Sequence, residues 1–181
     1  MRITIDPVRV SETFSHFANN PSFQESAQLF ARGQPIAEML QAFAMNENVL
    51  RAFAVFEKIY PDGKLERGVL EKAILRVSQL HQCQFCTSSH LDIMQSVGIG
   101  TDLSPKAQPS ERERLAIEYA ELITHDSNRI PDAFFESLRA AFSDVEIVEL
   151  TFHIGFITML NRFNNALQVR YRGEFEGLKI H

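Results

Sequence analysis

The sequence predicts an all-α chain, and three observations predict it. Glycine (8) and proline (7) are scarce among 181 residues, about 8% against roughly 12% in average proteins. They are also clustered: Pro61 with Gly63, then Gly98, Gly100, Pro105 and Pro109, then Pro131, with no proline after it. Between these breakers apolar residues recur at 3-and-4 spacing, without the alternation of a half-buried strand.

The elements follow in chain order. Residues 2–10 (RITIDPVRV) hint at an extended segment, and Pro7 weakens the hint because it donates no ladder hydrogen bond. Residues 22–32 read as a short helix. Residues 35–44 read as a helix that opens with Pro35 in its first turn, where proline is tolerated, and carries Ile36, Met39, Leu40 and Phe43. Residues 47–60 carry Val49, Leu50, Phe53 and Phe56 and stop at Tyr60-Pro61, as helices do before proline. Residues 66–81 carry Val69, Leu70, Ala73, Ile74, Val77 and Leu80; residues 84–97 carry Phe85, Leu91, Met94 and Val97 and stop at Gly98. Ser110 with Glu113 forms an S-x-x-E capping box that opens a helix to about 125. Pro131 opens another to about 141. Ser143 with Glu146 is a second capping box, opening the longest helix at roughly 144–168. That helix is apolar nearly all round until Asn161, so it is expected at the centre or in a subunit interface. The chain length sets the expectation of one compact domain. Residues 1–34 form an N-terminal extension on a helical domain of 35–181.

Composition narrows the function classes. Hydrophobic residues at 45% and charged residues at 23% exclude disorder and collagen-like structure. Net charge is −5, and the nearest thing to a basic patch is Arg170 with Arg172, so no nucleic-acid partner is expected. No apolar run approaches the roughly 18 residues of a membrane span. Asp6, Arg9, Glu12 and His16 interrupt the region where a signal peptide would be apolar. The expected setting is therefore reducing and cytoplasmic, with no membrane partner.

In that setting the two cysteines are informative. Cys83 and Cys86 form a C-x-x-C, too few for a disulfide scaffold. They are redox-active, half of a metal site, or accidental. At about 100° per residue, Cys83, Cys86 and His90 fall within a sector of about 60° on one helix. His90 is the i+4 neighbour of Cys86 and can sit over its sulfur. A break before Cys83 places the cysteines in the first turn, where free N–H groups and the dipole favour a thiolate. Glu71 lies twelve residues before Cys83 on the preceding helix. If that helix folds back, Glu71 can reach His90 or a water beside the sulfurs, orient the imidazole and take up a proton.

Glu71, Cys83-x-x-Cys86 and His90 in this spacing resemble the E-x11-C-x2-C-x3-H motif of AhpD-like alkylhydroperoxidases, in the carboxymuconolactone decarboxylase superfamily. The stretch NVLRAFAVFEKIYPDGKLERGVLEKAILRVSQL and the later ELTFHIGFITMLNRFNNALQV resemble the helices that flank that site, so the likeness covers about 35–170. The resemblance implies an all-α AhpD-like fold, a homo-oligomer (trimer or hexamer), and Glu71, Cys83, Cys86 and His90 as the catalytic set, with no cofactor and no metal. It implies a thiol-dependent peroxidase that takes a peroxide substrate and is regenerated by a dithiol reductant protein or a small thiol. Two details qualify the match. The best-studied members have a histidine between the cysteines, where this chain has Gln84-Phe85. The decarboxylase branch lacks the C-x-x-C, which argues against lactone decarboxylation.

Other readings stand beside this one. The chain can be a non-peroxidatic thiol–disulfide oxidoreductase or redox sensor. It can also be an oligomeric helical binding protein whose cysteines are structural or bind zinc, with His90 and His81 as further ligands. Glu71 can be a helix carboxylate paired with Lys72 or Arg67. His81 reads as a partner of the helix dipole, and His153 as a hydrogen-bonded core or interface histidine. Asn161, Arg162, Asn164 and Asn165 read as a polar tie that satisfies loop carbonyls or crosses a subunit interface. A sharper alternative places Arg162 at the mouth of a neighbour's site.

Overall fold

The structure is a computed structural model, and it describes residues 1–34, 36–57, 59 and 63–174. Among the described residues there are nine α-helices, one short 3₁₀ turn at Pro105–Ala107, and no strand. The helices are α1 (Pro7–His16), α2 (Gln24–Ala31), α3 (Glu38–Ala44), α4 (Glu47–Glu57), α5 (Arg67–Leu80), α6 (Gln84–Ser96), α7 (Glu111–Asp126), α8 (Asp132–Ala141) and α9 (Asp144–Leu167). The all-α expectation holds, and from α2 onward each helix falls on the segment that the spacing predicts. The expected start at Pro35 and stop at Tyr60-Pro61, like His181, lie outside the described residues. No helix among the described residues is long and apolar enough to cross a membrane.

The extended segment expected at 2–10 is the exception, because its second half is α1. Asp6 caps that helix: its carboxylate accepts from the Val8 and Arg9 amides at 2.9 and 3.4 Å. Pro7 then stands in the first turn, where its missing N–H costs nothing and its fixed φ suits a helix. Proline was a helix opener here, not a strand breaker.

By contact, the described residues group into two units. The first is Met1–Gly63 with Leu167–Glu174; the division into a 1–34 extension and a 35–181 domain is kept as a proposal. Its helices α1 to α4 gather Val10, Phe14, Phe17, Phe23, Phe43, Leu50 and Phe53 into a core. Phe43 and Phe53 lie 4.9 Å apart between ring centroids, and Phe53 stacks on Phe23 at 6.1 Å. Glu38 is buried, and Arg170 and Arg172 reach it at 3.0 and 2.7 Å. Burial would raise its carboxyl pKa, but the Arg170 amide and the two guanidiniums outweigh burial and hold it below the usual range.

The second unit runs over Lys64–Ala166 and carries the cysteines. Its most enveloped element is α5, which buries Val69, Leu70, Glu71, Lys72, Ala73, Ile74, Leu75, Val77 and Ser78 and packs against α6 and α7. The longest helix, α9, buries Ile147, Leu150, Ile154, Ile157 and Leu160 but leaves Val145, Val148 and Met159 exposed. Both capping boxes form. Ser110 and Glu113 exchange hydrogen bonds at 2.8 and 3.2 Å. Ser143 donates its amide to Glu146 at 2.8 Å, and Glu146 returns its amide at 3.4 Å. Arg112 joins α7 to both flanks: it meets Glu66 at 2.7 Å and Glu146 at 2.6 Å, donates to the Ala141 carbonyl, and lies 4.2 Å over the Phe142 ring.

This network makes a stability prediction. The Ser143 amide, Arg112 and the Ser143 hydroxyl together hold the Glu146 carboxyl down to about 2. A carboxyl depressed on folding stabilises above its unfolded value of about 4.3 and stops doing so as the pH falls toward the folded value. Glu146→Gln is therefore expected to cost about 2 kcal/mol at pH 7. Denaturant melts should show that gap closing between about pH 4 and pH 2.

Candidate active site

The site is assembled where α5 turns into α6. Helix α5 ends at Leu80, and Gln82 takes a left-handed φ of 52°, which reverses the chain within three residues. Cys83 donates its amide to the Ser78 carbonyl at 3.0 Å, then serves as the N-cap of α6. Its sulfur accepts the Cys86 amide at 3.3 Å, so a sulfur does the work usually done by a serine or aspartate oxygen. The two cysteines are paired as a disulfide, with Cα atoms 5.4 Å apart. Both are buried, Cys83 fully and Cys86 at 3% exposure.

Glu71 stands one turn from the start of α5 on its enveloped face, with no exposed surface. Its Oε2 lies 2.8 Å from His90 Nδ1 on α6. The ring's other nitrogen is therefore the one turned away from the carboxylate. Arg67 Nε, one turn earlier on α5, lies 3.7 Å from Oε1. A fully buried carboxylate is tolerated only when cationic or hydrogen-bonding partners face it, and here His90 and Arg67 do so. Lys72, the other partner considered for Glu71, points elsewhere and pairs with Glu113 at 2.7 Å. Thus the structure brings Glu71 and His90 together across two helices, on the helix that begins with the cysteines.

Three asparagines of α9 complete the surroundings. Asn161 Nδ2 donates to Ser78 Oγ at 3.2 Å, and Asn165 Nδ2 donates to the His81 carbonyl at 2.9 Å. Those two act as the polar tie that the sequence suggests. Asn164 does something different: its Nδ2 donates to Cys86 Sγ at 3.3 Å, in a buried position. Sequence reasoning missed this contact. The only signal available was a polar cluster interrupting an apolar helix, which does not say which element the amides meet.

Two further histidines of this unit, His81 and His153, have pKa values below the usual imidazole range. Burial lowers the pKa of His81, and the Arg162 guanidinium lowers it further. Burial also lowers that of His153, against the opposing pull of Glu149 and Glu71. His153 is a core residue, as expected, and it lies within the electrostatic reach of the Glu71 carboxylate. Among the described residues, no three His, Cys, Asp or Glu side chains gather so as to hold a metal ion.

No family model matches the chain. Among curated proteins it is similar to the uncharacterised protein YnjA of Escherichia coli, with 31% identity over 105 residues, 54% of this chain and 58% of that protein. The match thus spans less than two thirds of that relative's length. Among solved structures, an uncharacterised peroxidase-related protein from Silicibacter superposes with a TM-score of 0.77 at 22% identity, covering 99% of this chain and 95% of that one. A protein of unknown function from Agrobacterium tumefaciens, proposed as the antioxidant defence protein AhpD, has a TM-score of 0.64 at 27% identity, covering 70% of this chain and 92% of that one. The all-helical architecture and these superpositions agree: the fold of this chain is that of the AhpD-like, peroxidase-related proteins.

Proposed function

We propose that the chain is a thiol-dependent peroxidase that reduces alkyl hydroperoxides or hydrogen peroxide through Cys83 and Cys86. The observation that carries this reading is a C-x-x-C disulfide on the helix whose His90 is hydrogen-bonded to the buried Glu71. Cys86 is the attacking cysteine. Its thiolate attacks one peroxide oxygen; the S–O bond forms as the O–O bond breaks, and the alcohol or water leaves with a proton that His90 supplies. Cys83 then displaces the oxygen of the Cys86 sulfenic acid, giving the disulfide and water. An external dithiol reduces the disulfide by exchange and is itself oxidised. Glu71 orients His90 and accepts its Nδ1 proton as His90 takes one from the Cys86 thiol, then returns it as His90 protonates the leaving group.

Gln84-Phe85, in place of a histidine between the cysteines, favours a second reading as a thiol–disulfide oxidoreductase with little peroxide turnover. One experiment separates them. Reduced protein is treated with one equivalent of peroxide and analysed by mass spectrometry, and peroxide consumption is followed with dithiol donors. Rapid loss of two protons with a Cys83–Cys86 disulfide and donor-dependent turnover supports the peroxidase. A protein that exchanges disulfides but leaves peroxide untouched is the oxidoreductase.

The working form is a homo-oligomer, a trimer or hexamer, in a reducing cytoplasmic setting. On α9, Val145, Val148 and Met159 are 64%, 69% and 45% exposed, and at about 100° per residue they share one face. Burying that stripe against a second copy removes it from water. Light scattering should give a multiple of 20.6 kDa, and Val148→Glu with Met159→Glu should shift it toward the single-chain mass. A wild-type mass of one chain at all concentrations overturns the oligomer.

A further inference from the structure

We propose that Asn164 is a further catalytic residue, whose side-chain amide donates to Cys86 Sγ and makes Cys86 the sulfur that carries negative charge. The inference rests on the thiol chemistry above for its purpose, but its test does not depend on peroxide turnover.

The two sulfurs have different surroundings. Cys83 Sγ accepts a backbone amide, that of Cys86, at 3.3 Å, as any N-cap atom does. Cys86 Sγ accepts a side-chain amide from another helix, at the same distance. Asn164 is 2% exposed, and its helix is fixed in register by its neighbours: Asn161 holds Ser78 on α5, and Asn165 holds the His81 carbonyl just before Cys83. The donor is therefore preorganised in a site shielded from water. There a hydrogen bond to an anion is stronger than one to a neutral sulfur.

That preference acts at two points of the cycle. In the reduced protein Cys86 loses its proton, and the Asn164 N–H stabilises the resulting thiolate. During regeneration the thiolate of an external dithiol attacks Cys83. The S–S bond breaks, its electron pair stays on Cys86, and the same N–H receives the leaving thiolate; the second thiol of the donor then releases Cys83 and is oxidised to a disulfide. One amide thus lowers the cost of both the nucleophile and the leaving group, and both are Cys86.

The test isolates each cysteine. In a Cys83→Ser background, the rate of iodoacetamide alkylation against pH reports the ionisation of Cys86 alone. Adding Asn164→Ala is expected to move that profile upward by about one to two pH units, the worth of one hydrogen bond to a charged group. Adding Asn164→Asp keeps the shape but faces the sulfur with a carboxylate, and should move it at least as far. In a Cys86→Ser background, Asn164→Ala should leave the Cys83 profile unchanged. Far-UV circular dichroism checks the fold, and if the alanine variant does not fold the isosteric aspartate carries the test. A Cys86 profile that stays put in the variants, or a Cys83 profile that moves equally, overturns the proposal. A shifted Cys86 profile in a protein that consumes no peroxide leaves Asn164 assigned and removes the peroxidase reading.

Discussion

Cys86→Ser is expected to abolish peroxide reduction, whereas Cys83→Ser is expected to retain one turnover and stop. The asymmetry follows from the roles assigned to the sulfurs. Cys86 has His90 one turn ahead on α6 and the Asn164 amide on its sulfur. Cys83 is fully buried as the N-cap and is the partner that resolves. Without Cys83, the Cys86 sulfenic acid has no thiol with which to condense, so dimedone should trap it in full stoichiometry on one residue. Without Cys86, no adduct should form at the same dose of peroxide. Mass spectrometry of the labelled peptides reads both outcomes. The reverse pattern, with the adduct on Cys83, would exchange the two roles and remove the reason given for Asn164. No adduct in either variant would remove the peroxidase itself.

Glu71→Gln is expected to slow oxidation of the reduced protein by about 10²–10⁴-fold without unfolding it, the range by which positioned acid–base groups accelerate a reaction. The carboxylate is fully buried and lies 2.8 Å from His90 Nδ1, so it fixes the ring and can take its proton. Glutamine has the same shape and can still accept from Nδ1–H, but it cannot take up a proton. His90→Ala should slow the reaction similarly, and the double variant should be little worse than either single one, because the two residues act as a unit. A purely structural Glu71 would give another signature: the glutamine variant would lose thermal stability while its rate per folded molecule stayed near wild type. Stopped-flow oxidation together with a thermal melt distinguishes the two. Glu71→Leu is the harsher change, since it leaves Arg67 and His90 facing an apolar side chain.

The sequence alone determined the helices and the motif. Apolar spacing located α2 to α9, because a helix that buries one face must repeat its apolar residues at 3 and 4. The two S-x-x-E signals were correct because a capping box is closed within four residues and needs nothing from elsewhere in the chain. Cys83, Cys86 and His90 were legible for the same reason: successive turns of one helix relate them. Pro7 misled because proline is excluded from the interior of a strand and of a helix alike but welcomed in a helix's first turn, and only the cap at Asp6 decides which applies. Tertiary structure decided the rest. Spacing along the chain could not say that α5 folds back to set Glu71 against His90 across 19 residues, and not against Lys72 on its own helix. Nor could it say that Asn164, 78 residues beyond Cys86, reaches its sulfur while Asn161 and Asn165 reach other atoms. The physical reason is that a polar residue on an apolar helix must find a partner, but the rotation and register of packed helices decide which one.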